Sequence, residues 1–197
     1  FANGGFRIDP FLIERIDDSK AQTVHRTQPA VACAQCPERI AEEFALDPLV
    51  VPVETELEAG PQASEVTAPA IKLAPRAIDA KNAYLITSLL MDVVKRGTGR
   101  KAMELERADL AGKTGTTNEH RDAWFSGFNQ SLVATAWMGF DDFSTLGNGE
   151  FAAKTALPMW ISFMGAALQD LPQTLPAMPI GITTARINKG SGQLTSA

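Results

Sequence analysis

Residues 111–128 decide the fold of this chain, and they read Ala-Gly-Lys-Thr-Gly-Thr-Thr-Asn-Glu-His-Arg-Asp-Ala-Trp-Phe-Ser-Gly-Phe. A polar strand is predicted over 109–116 and an aromatic one over 123–128. The turn at Asn129-Gln130 leads into a third strand over 132–139, which is nearly all apolar. Short turns between consecutive strands are typical of an antiparallel meander. The apolar third strand predicts that both of its faces are covered.

Helices are predicted on both sides of these strands. The first, over 79–96, begins at Asp79 as its cap, and Gly97 can close it in the left-handed conformation. Its apolar residues recur at helical spacing and predict a buried face made of Ala83, Ile86, Leu90 and Val93. A second helix, over 155–171, is apolar over most of its circumference, which predicts packing against the sheet. The expected fold class is therefore α+β, an antiparallel sheet packed with helices.

Composition divides the chain into four segments. They are 1–24, where the domain begins; 25–77, an acidic, Pro-rich insertion; 78–171, the core of the domain; and 172–197, a tail. Residues 6–16 are rich in β-branched and aromatic residues, and Pro10 predicts a break or an edge position there. One short helix is predicted over 38–44 and one strand over 180–187.

The charge distribution gives no broad basic face, so nucleic acid is not an expected partner. The chain has 18 basic and 23 acidic residues, for a net charge of −5. Acid is concentrated between residues 38 and 65, where Arg39 is the single base. The rest of the chain is weakly positive.

The chain starts at Phe1, and no charged-then-apolar signal segment follows. The longest apolar stretch, 156–168, is shorter than an ordinary membrane span. A chain that begins mid-element at Phe-Ala-Asn-Gly-Gly is expected to have lost an N-terminal portion. A membrane anchor could lie in that portion.

Two cysteines, Cys33 and Cys36, have C-x-x-C spacing. A zinc site would need two more ligands, and only His25 is near in sequence. A redox motif is expected between a strand and a helix, whereas Pro29 and Pro37 flank this pair. A local disulfide or two free thiols are the favoured interpretations, and we predict no metal and no cofactor.

Residues Lys113–Thr117 concentrate the chemistry of the chain. The Lys113 ammonium favours an anionic substrate and lowers the pKa of groups beside it. Thr114 and Thr116 alternate with Gly115, so both hydroxyls lie on one face and, with the ammonium, suit a carboxylate. Gly115 lets a substrate backbone approach the strand. The backbone N–H of Thr116 can then point at a developing oxyanion.

Other interpretations of these residues are weaker. A short polar strand end explains Lys-Thr-Gly but not the longer run 111–128. A phosphate-binding P-loop would need a glycine where Arg107 stands and a helix after Lys113. His120 is interpreted as an exposed loop residue rather than a general base. The Arg100-Lys101 pair is interpreted as a solvated turn rather than a phosphate site.

On these residues the chain resembles the C-terminal part of the transpeptidase domain of class A penicillin-binding proteins, most nearly the 1A type of Gram-negative bacteria. Penicillin-binding and β-lactamase enzymes combine K-T-G with an S-x-x-K and an S-x-N. Neither companion motif occurs in these 197 residues. The matching segments are 1–5, 84–88, 93–99, 111–118, 122–125, 137–141 and 156–161.

The resemblance implies a bifunctional enzyme anchored on the periplasmic side of the bacterial inner membrane. One domain outside this chain would polymerise lipid II, and the transpeptidase domain would cross-link peptidoglycan stem peptides through a serine acyl-enzyme and bind β-lactam antibiotics. Lys113 is then the catalytic residue of this chain. The substrate-binding residues are Thr114, Gly115, Thr116 and Thr117, with the Thr116 N–H in the oxyanion hole. The nucleophile would lie outside this chain. The alternative is a binding module without chemistry, and the sequence upstream of Phe1 would separate the two.

Overall fold

The computed structural model of the protein describes residues 1–33, 36 and 72–195. The chain forms two compact units. The larger comprises Phe1–Gly5 and Ile78–Ala197, and the smaller comprises Phe6–Ala77. The larger unit contains residues 111–128, so it positions the candidate site. The division into four segments by composition stays a prediction.

The smaller unit contains a two-stranded antiparallel hairpin, β1 (Arg15–Asp17) with β2 (Thr23–Arg26). Its turn is held by the Asp18 carboxylate, which accepts hydrogen bonds from two backbone N–H groups that follow it, at 2.8 and 2.9 Å. Residues 7–14 form no strand, in keeping with the break predicted at Pro10. The helix predicted over 38–44 lies outside the described residues.

A three-stranded antiparallel sheet forms the centre of the larger unit, as predicted. Its strands are β3 (Ala111–Thr116), β4 (Asp122–Phe128) and β5 (Val133–Gly139), in that order across the sheet. The predicted turn after β4 is confirmed, because the Asn129 side-chain oxygen accepts from two backbone N–H groups of the turn, at 3.0 and 2.8 Å. An Asx turn of this kind specifies a short connection.

The helix α1 (Ala80–Arg96) precedes the sheet and packs against β3. Its predicted cap is confirmed, since Asp79 accepts hydrogen bonds from the backbone N–H groups of Lys81 at 2.9 Å and Asn82 at 3.3 Å. The closing residue is not as predicted. Gly97 has φ −106° and ψ −153°, which is extended rather than left-handed. Its N–H still ends the helix by donating to the Val93 carbonyl.

The buried face of α1 also differs from the prediction. The buried residues are Ala83, Thr87, Met91 and Val94. Ile86, predicted to be buried, is 38 % exposed. Apolar residues occur around most of this helix, so helical spacing alone does not select the face that packs. Tertiary contact with β3 selects it instead.

The helix α2 (Ala156–Ala167) packs on one face of the sheet, as predicted, although it ends before residue 171. The Trp160 ring lies edge-on to Phe125, with centroids 4.9 Å apart. Two glycines make room for these rings. A Cβ on Gly112 would lie 2.7 Å from the Phe125 ring, and one on Gly127 would lie 2.6 Å from the Trp160 ring. Gly112, Gly127, Phe125 and Trp160 therefore pack together as one complementary set in the core.

The prediction that both faces of β5 are covered is wrong. Exposure alternates along β5, and Val133 is 63 % exposed and Trp137 is 41 % exposed. In the described part of the chain, α2 covers one face and β5 is the last strand of its sheet. An apolar sequence makes a strand suitable for burial on both faces. Burial itself requires a packed layer on each face, and the described residues supply a helix on one face.

A buried polar network joins the start of β3 to the end of α2. Arg107 forms a two-point ion pair with Asp109 and donates to the backbone carbonyls of Leu168 at 3.2 Å and Leu171 at 2.8 Å. Asp109 also accepts from Thr174 N at 3.2 Å. Because Asp109 serves this network, the strand begins at residue 111 rather than at the predicted residue 109.

The tail has less regular structure than predicted. No strand forms over 180–187, and the segment contributes only a single bridge between Ile187 and Leu194. Among the helices of the described residues, none has the length and apolar character needed to span a membrane.

Candidate active site

The unpaired edge of β3 is the centre of the candidate site. Within the described residues β3 pairs with β4 on one side and with no strand on the other. Thr117 N donates to Asp122 O across the β3–β4 pair at 3.0 Å. Successive N–H groups of an extended chain point in opposite directions, so those of Thr114 and Thr116 point away from β4. The edge therefore offers backbone donors to a ligand that lies along it.

Lys113 lies on one face of this edge and has an exposed side chain. Its register partner on β4 is Ser126. The Lys113 ammonium donates to the backbone carbonyl of Thr114 at 2.8 Å and lies 3.5 Å from the Thr114 hydroxyl. No carboxylate forms an ion pair with Lys113 in the described part of the chain. Its positive charge is thus available to an anion.

Thr114 lies on the opposite face from Lys113, in register with Phe125, and is half-buried. Its hydroxyl is 2.8 Å from the hydroxyl of Thr98, in the turn after α1. The Thr114 oxygen therefore has two polar side chains beside it, Lys113 and Thr98. Both are held within the same compact unit.

Thr116 lies on the same face as Thr114, in register with Ala123, and is exposed. Its hydroxyl oxygen accepts a hydrogen bond from the backbone N–H of Ala152 at 3.1 Å. A hydroxyl has one proton and two lone pairs, so this bond leaves the proton free to be donated. The two threonines thus share a face, as the alternation in sequence predicts.

Gly115 is a glycine that local packing does not require. Among the residues that the structure describes, a Cβ placed there would meet only Trp124 Cβ, at 3.5 Å, which is ordinary van der Waals contact. At Gly112 on the same strand, by contrast, a Cβ would collide with a buried ring. The absence of a side chain at Gly115 keeps the strand open on its outer side.

An open cleft of about 570 Å³ continues from the end of β3, and its lining includes Thr116, Thr117, Glu119 and Arg121. Arg121 is already bound within the protein, since its guanidinium forms an ion pair with Glu119 and donates a hydrogen bond to the Phe143 carbonyl at 2.6 Å. Thr117 is also engaged, because its hydroxyl accepts from Asp122 N at 2.7 Å. The cleft extends the site beyond the strand.

The other polar residues considered from sequence lie outside this edge. His120 is half-buried, and its ring stands edge-on to Phe151 with centroids 4.5 Å apart. Arg100 and Lys101 are exposed on a short 3-10 helix. Cys36 Sγ donates to the Cys33 carbonyl at 3.8 Å. No cluster able to hold a metal ion occurs in the residues that the structure describes.

Three contributors to this edge escaped the sequence analysis. Thr98 lies within the matching segment 93–99, but no pattern marks its side chain, and Ala152 carries no side-chain signal at all. The ion pair of Arg107 with Asp109, which fixes the start of β3, was also missed. Spacing of one residue between opposite charges at the entrance to a strand was the available signal for that pair.

Comparisons with known proteins agree on one family. Residues 1–139 match the family model described as the penicillin binding protein transpeptidase domain. The chain is 43% identical over 202 residues to penicillin-binding protein 1A of Pseudomonas aeruginosa, covering 98% of this chain and 24% of that protein. It is 32% identical over 222 residues to penicillin-binding protein 1A of Vibrio cholerae, covering 100% of this chain and 24% of that protein.

The fold is also similar to a solved structure. A 2.6 Å crystal structure of penicillin-binding protein 1A from Haemophilus influenzae matches with a TM-score of 0.77 and 34% sequence identity. The match covers 100% of this chain and 29% of that one. The chain thus spans about a quarter of the length of the relatives that it matches. The α+β class and the sheet packed with helices are confirmed.

Proposed function

This chain belongs to the penicillin-binding protein transpeptidase family, and we propose that it supplies the substrate-binding strand of a serine D,D-transpeptidase. In this proposal it is the C-terminal portion of a bifunctional peptidoglycan glycosyltransferase and transpeptidase. The observation that carries the proposal is the unpaired edge of β3. Within the described residues, that edge combines a cation without an ion-pair partner, two hydroxyls and outward N–H groups.

Substrate binding would use this edge in two ways. A stem peptide that ends in a carboxylate would lie along β3 and pair with its outward backbone groups. Its carboxylate would be bound by the Lys113 ammonium and by the Thr114 and Thr116 hydroxyls. The absence of a side chain at Gly115 would let the peptide backbone come close. Thr117 would border the substrate where β3 enters the cleft.

The acyl-transfer step would need a nucleophilic serine. No serine of this chain stands in an S-x-x-K motif, so in this proposal the nucleophile lies outside the chain. The serine hydroxyl would attack the carbonyl carbon of the penultimate residue, expel the terminal amino acid and form an ester. The negative charge that develops on the carbonyl oxygen would be stabilised by the outward N–H of Thr116. An amine of a second stem peptide would then attack the ester and restore the serine. β-Lactams would acylate the same serine.

The cellular setting follows from the family rather than from the geometry. The proposed partners are peptidoglycan stem peptides and β-lactam antibiotics. Lipid II would be used by a glycosyltransferase domain outside this chain, and a membrane anchor outside this chain would hold the protein on the periplasmic side of the bacterial inner membrane. The proposal includes no cofactor, no metal and no nucleic acid.

The test is acylation of the full-length protein by a fluorescent penicillin. Lys113→Ala removes the cation of the edge, and loss of one charge-assisted hydrogen bond should slow acylation about ten- to a hundredfold. Lys101→Ala is the matched control, because it removes an exposed ammonium elsewhere in the same unit. If both variants react like the wild type, β3 is not the substrate strand. Absence of acylation in the wild type would favour the binding module.

A further inference from the structure

The turn between α1 and β3 is built to hold one hydroxyl in place. It reads Gly97-Thr98-Gly99, and the N–H groups of both glycines donate to the Val93 carbonyl at 3.0 Å. A Cβ on Gly97 would lie 2.9 Å from Val93 Cα, and one on Gly99 would lie 3.4 Å from the Phe125 ring. These contacts leave the turn little freedom. The packing of the turn therefore fixes the backbone position of Thr98, and with it the place from which its side chain extends.

That side chain reaches the candidate site. The Thr98 hydroxyl lies 2.8 Å from the Thr114 hydroxyl, although the residues are 16 positions apart. Either hydroxyl could donate in this pair, because each has one proton and two lone pairs. The Lys113 ammonium, which has only donors, lies 3.5 Å from the same Thr114 oxygen. Lys113 can use Thr114 only as an acceptor.

Hydrogen-bond accounting selects one direction when an anion is bound. A carboxylate has no proton, so Thr114 can bind it only by donating its own. Thr98 must then donate to the Thr114 oxygen, which accepts from Thr98 and Lys113. If Thr114 donated to Thr98 instead, the carboxylate would meet a lone pair. The same arrangement already exists at Thr116, whose oxygen accepts from a backbone N–H that cannot reverse.

We propose that Thr98 is a positioning residue that directs the Thr114 proton toward the carboxylate of the substrate. This inference rests on the function proposed above and adds a residue to it. Thr98 acts through Thr114 and does not itself touch the substrate. The turn after α1 thus does for Thr114 what the backbone of Ala152 does for Thr116. Both hydroxyls of the strand are held as acceptors on the protein side and as donors on the substrate side.

The experiment compares three variants of the full-length protein. Thr98→Val has nearly the shape of threonine and removes the hydroxyl, whereas Thr98→Ser keeps it. Thr135→Val is the matched control, because it breaks a hydroxyl pair of similar length, the 2.9 Å contact with Ser126, on the other face of the sheet. Second-order acylation rates are measured with a β-lactam that carries its carboxylate and with the methyl ester of the same compound.

We expect Thr98→Val to react about three- to tenfold more slowly with the carboxylate compound, the range that loss of one neutral hydrogen bond produces. Its loss of rate with the ester should be smaller, within a factor of about two, since a neutral ester carbonyl accepts a weaker hydrogen bond from Thr114 than a charged carboxylate does. Thr98→Ser and Thr135→Val should match the wild type with both compounds.

Two results would overturn the inference. One is a Thr98→Val variant as fast as the wild type with the carboxylate compound, and the other is an equal loss with both compounds, which would indicate a structural role. Failure of the proposed function gives a different pattern, because Lys113→Ala would then also react at the wild-type rate. The two failures can be told apart in one set of measurements.

Discussion

The guanidinium of Arg107 and the carboxylate of Asp109 meet in a two-point ion pair, at 2.9 and 2.8 Å, that is nearly closed to solvent. The pair stands at the entrance to β3, and Arg107 reaches from there to the Leu168 carbonyl at the end of α2 and to the Leu171 carbonyl just beyond it. Two elements distant in sequence are thereby joined by one side chain. The position of the candidate substrate strand relative to α2 depends on this contact.

Removal of the arginine should open this junction. Arg107→Leu leaves the Asp109 carboxylate buried without its charge partner, which should lower the local free energy of unfolding by about 3 kcal/mol. Hydrogen exchange of the amides in 105–116 and 168–174 measures that energy. Replacing both residues by leucine should recover much of the loss. Arg96→Leu, which breaks an exposed pair with Asp92, should leave exchange in these segments almost unchanged.

The same carboxylate should give the protein an acid-sensitive contribution to stability. Burial alone would raise the pKa of Asp109, but hydrogen bonds from Arg107, Thr174 N and Asn129 outweigh it, so the pKa is lowered. The unfolded chain therefore binds this proton first, and the contribution is complete above about pH 4 and is lost as the pH falls through the folded-state pKa.

Urea titrations from about pH 6 to about pH 2.5, followed by near-UV circular dichroism, measure this loss. Asp109→Asn cannot titrate, so its midpoint should fall less steeply with acid than that of the wild type. Parallel slopes for the two proteins would mean that other carboxylates account for the acid response.

The hydroxyl of Thr116 should matter both for structure and for substrate. Thr116→Val keeps the backbone N–H assigned to the oxyanion hole but leaves Ala152 N without its acceptor. We expect a loss of acylation that is larger for a carboxylate-bearing substrate than for its methyl ester, and near-complete recovery in Thr116→Ser. An equal loss with acid and ester would remove the carboxylate-binding role from this hydroxyl. The rates for both compounds and both variants decide the question.

The 197-residue chain by itself should not be acylated by a fluorescent penicillin. None of its serines stands in an S-x-x-K, so no serine has a lysine one helical turn away to take its proton. Intact-mass spectrometry after incubation with the drug is the measurement. A stoichiometric adduct would show that another serine can act as the nucleophile.

The sheet was predictable from sequence because local chemistry specifies it. Asn129 makes the turn after β4, and the alternation of side chains along β3 places Thr114 and Thr116 on one face. Both features depend only on residues that are neighbours in the sequence. The face of α1 was not predictable, because Ile86 and Met91 are equally apolar and only contact with β3 distinguishes them. Coverage of β5 was overestimated for the same reason.

The candidate site shows the same division. Lys113 and its neighbours carry their chemistry in their side chains, so a short run of sequence reveals them. Thr98 joins them through a contact between residues 16 positions apart, and Ala152 joins through a backbone group. The acylation rates described above test the predicted roles of Lys113 through Thr117.

The fit of Gly112 and Gly127 around the rings of Phe125 and Trp160 restricts how this domain can vary. At both glycines any side chain would have to occupy the space of an aromatic ring. A smaller side chain at Phe125 or Trp160 would leave a void in the core. The four positions therefore depend on one another, and a redesign of the core at any one of them has to change the others together.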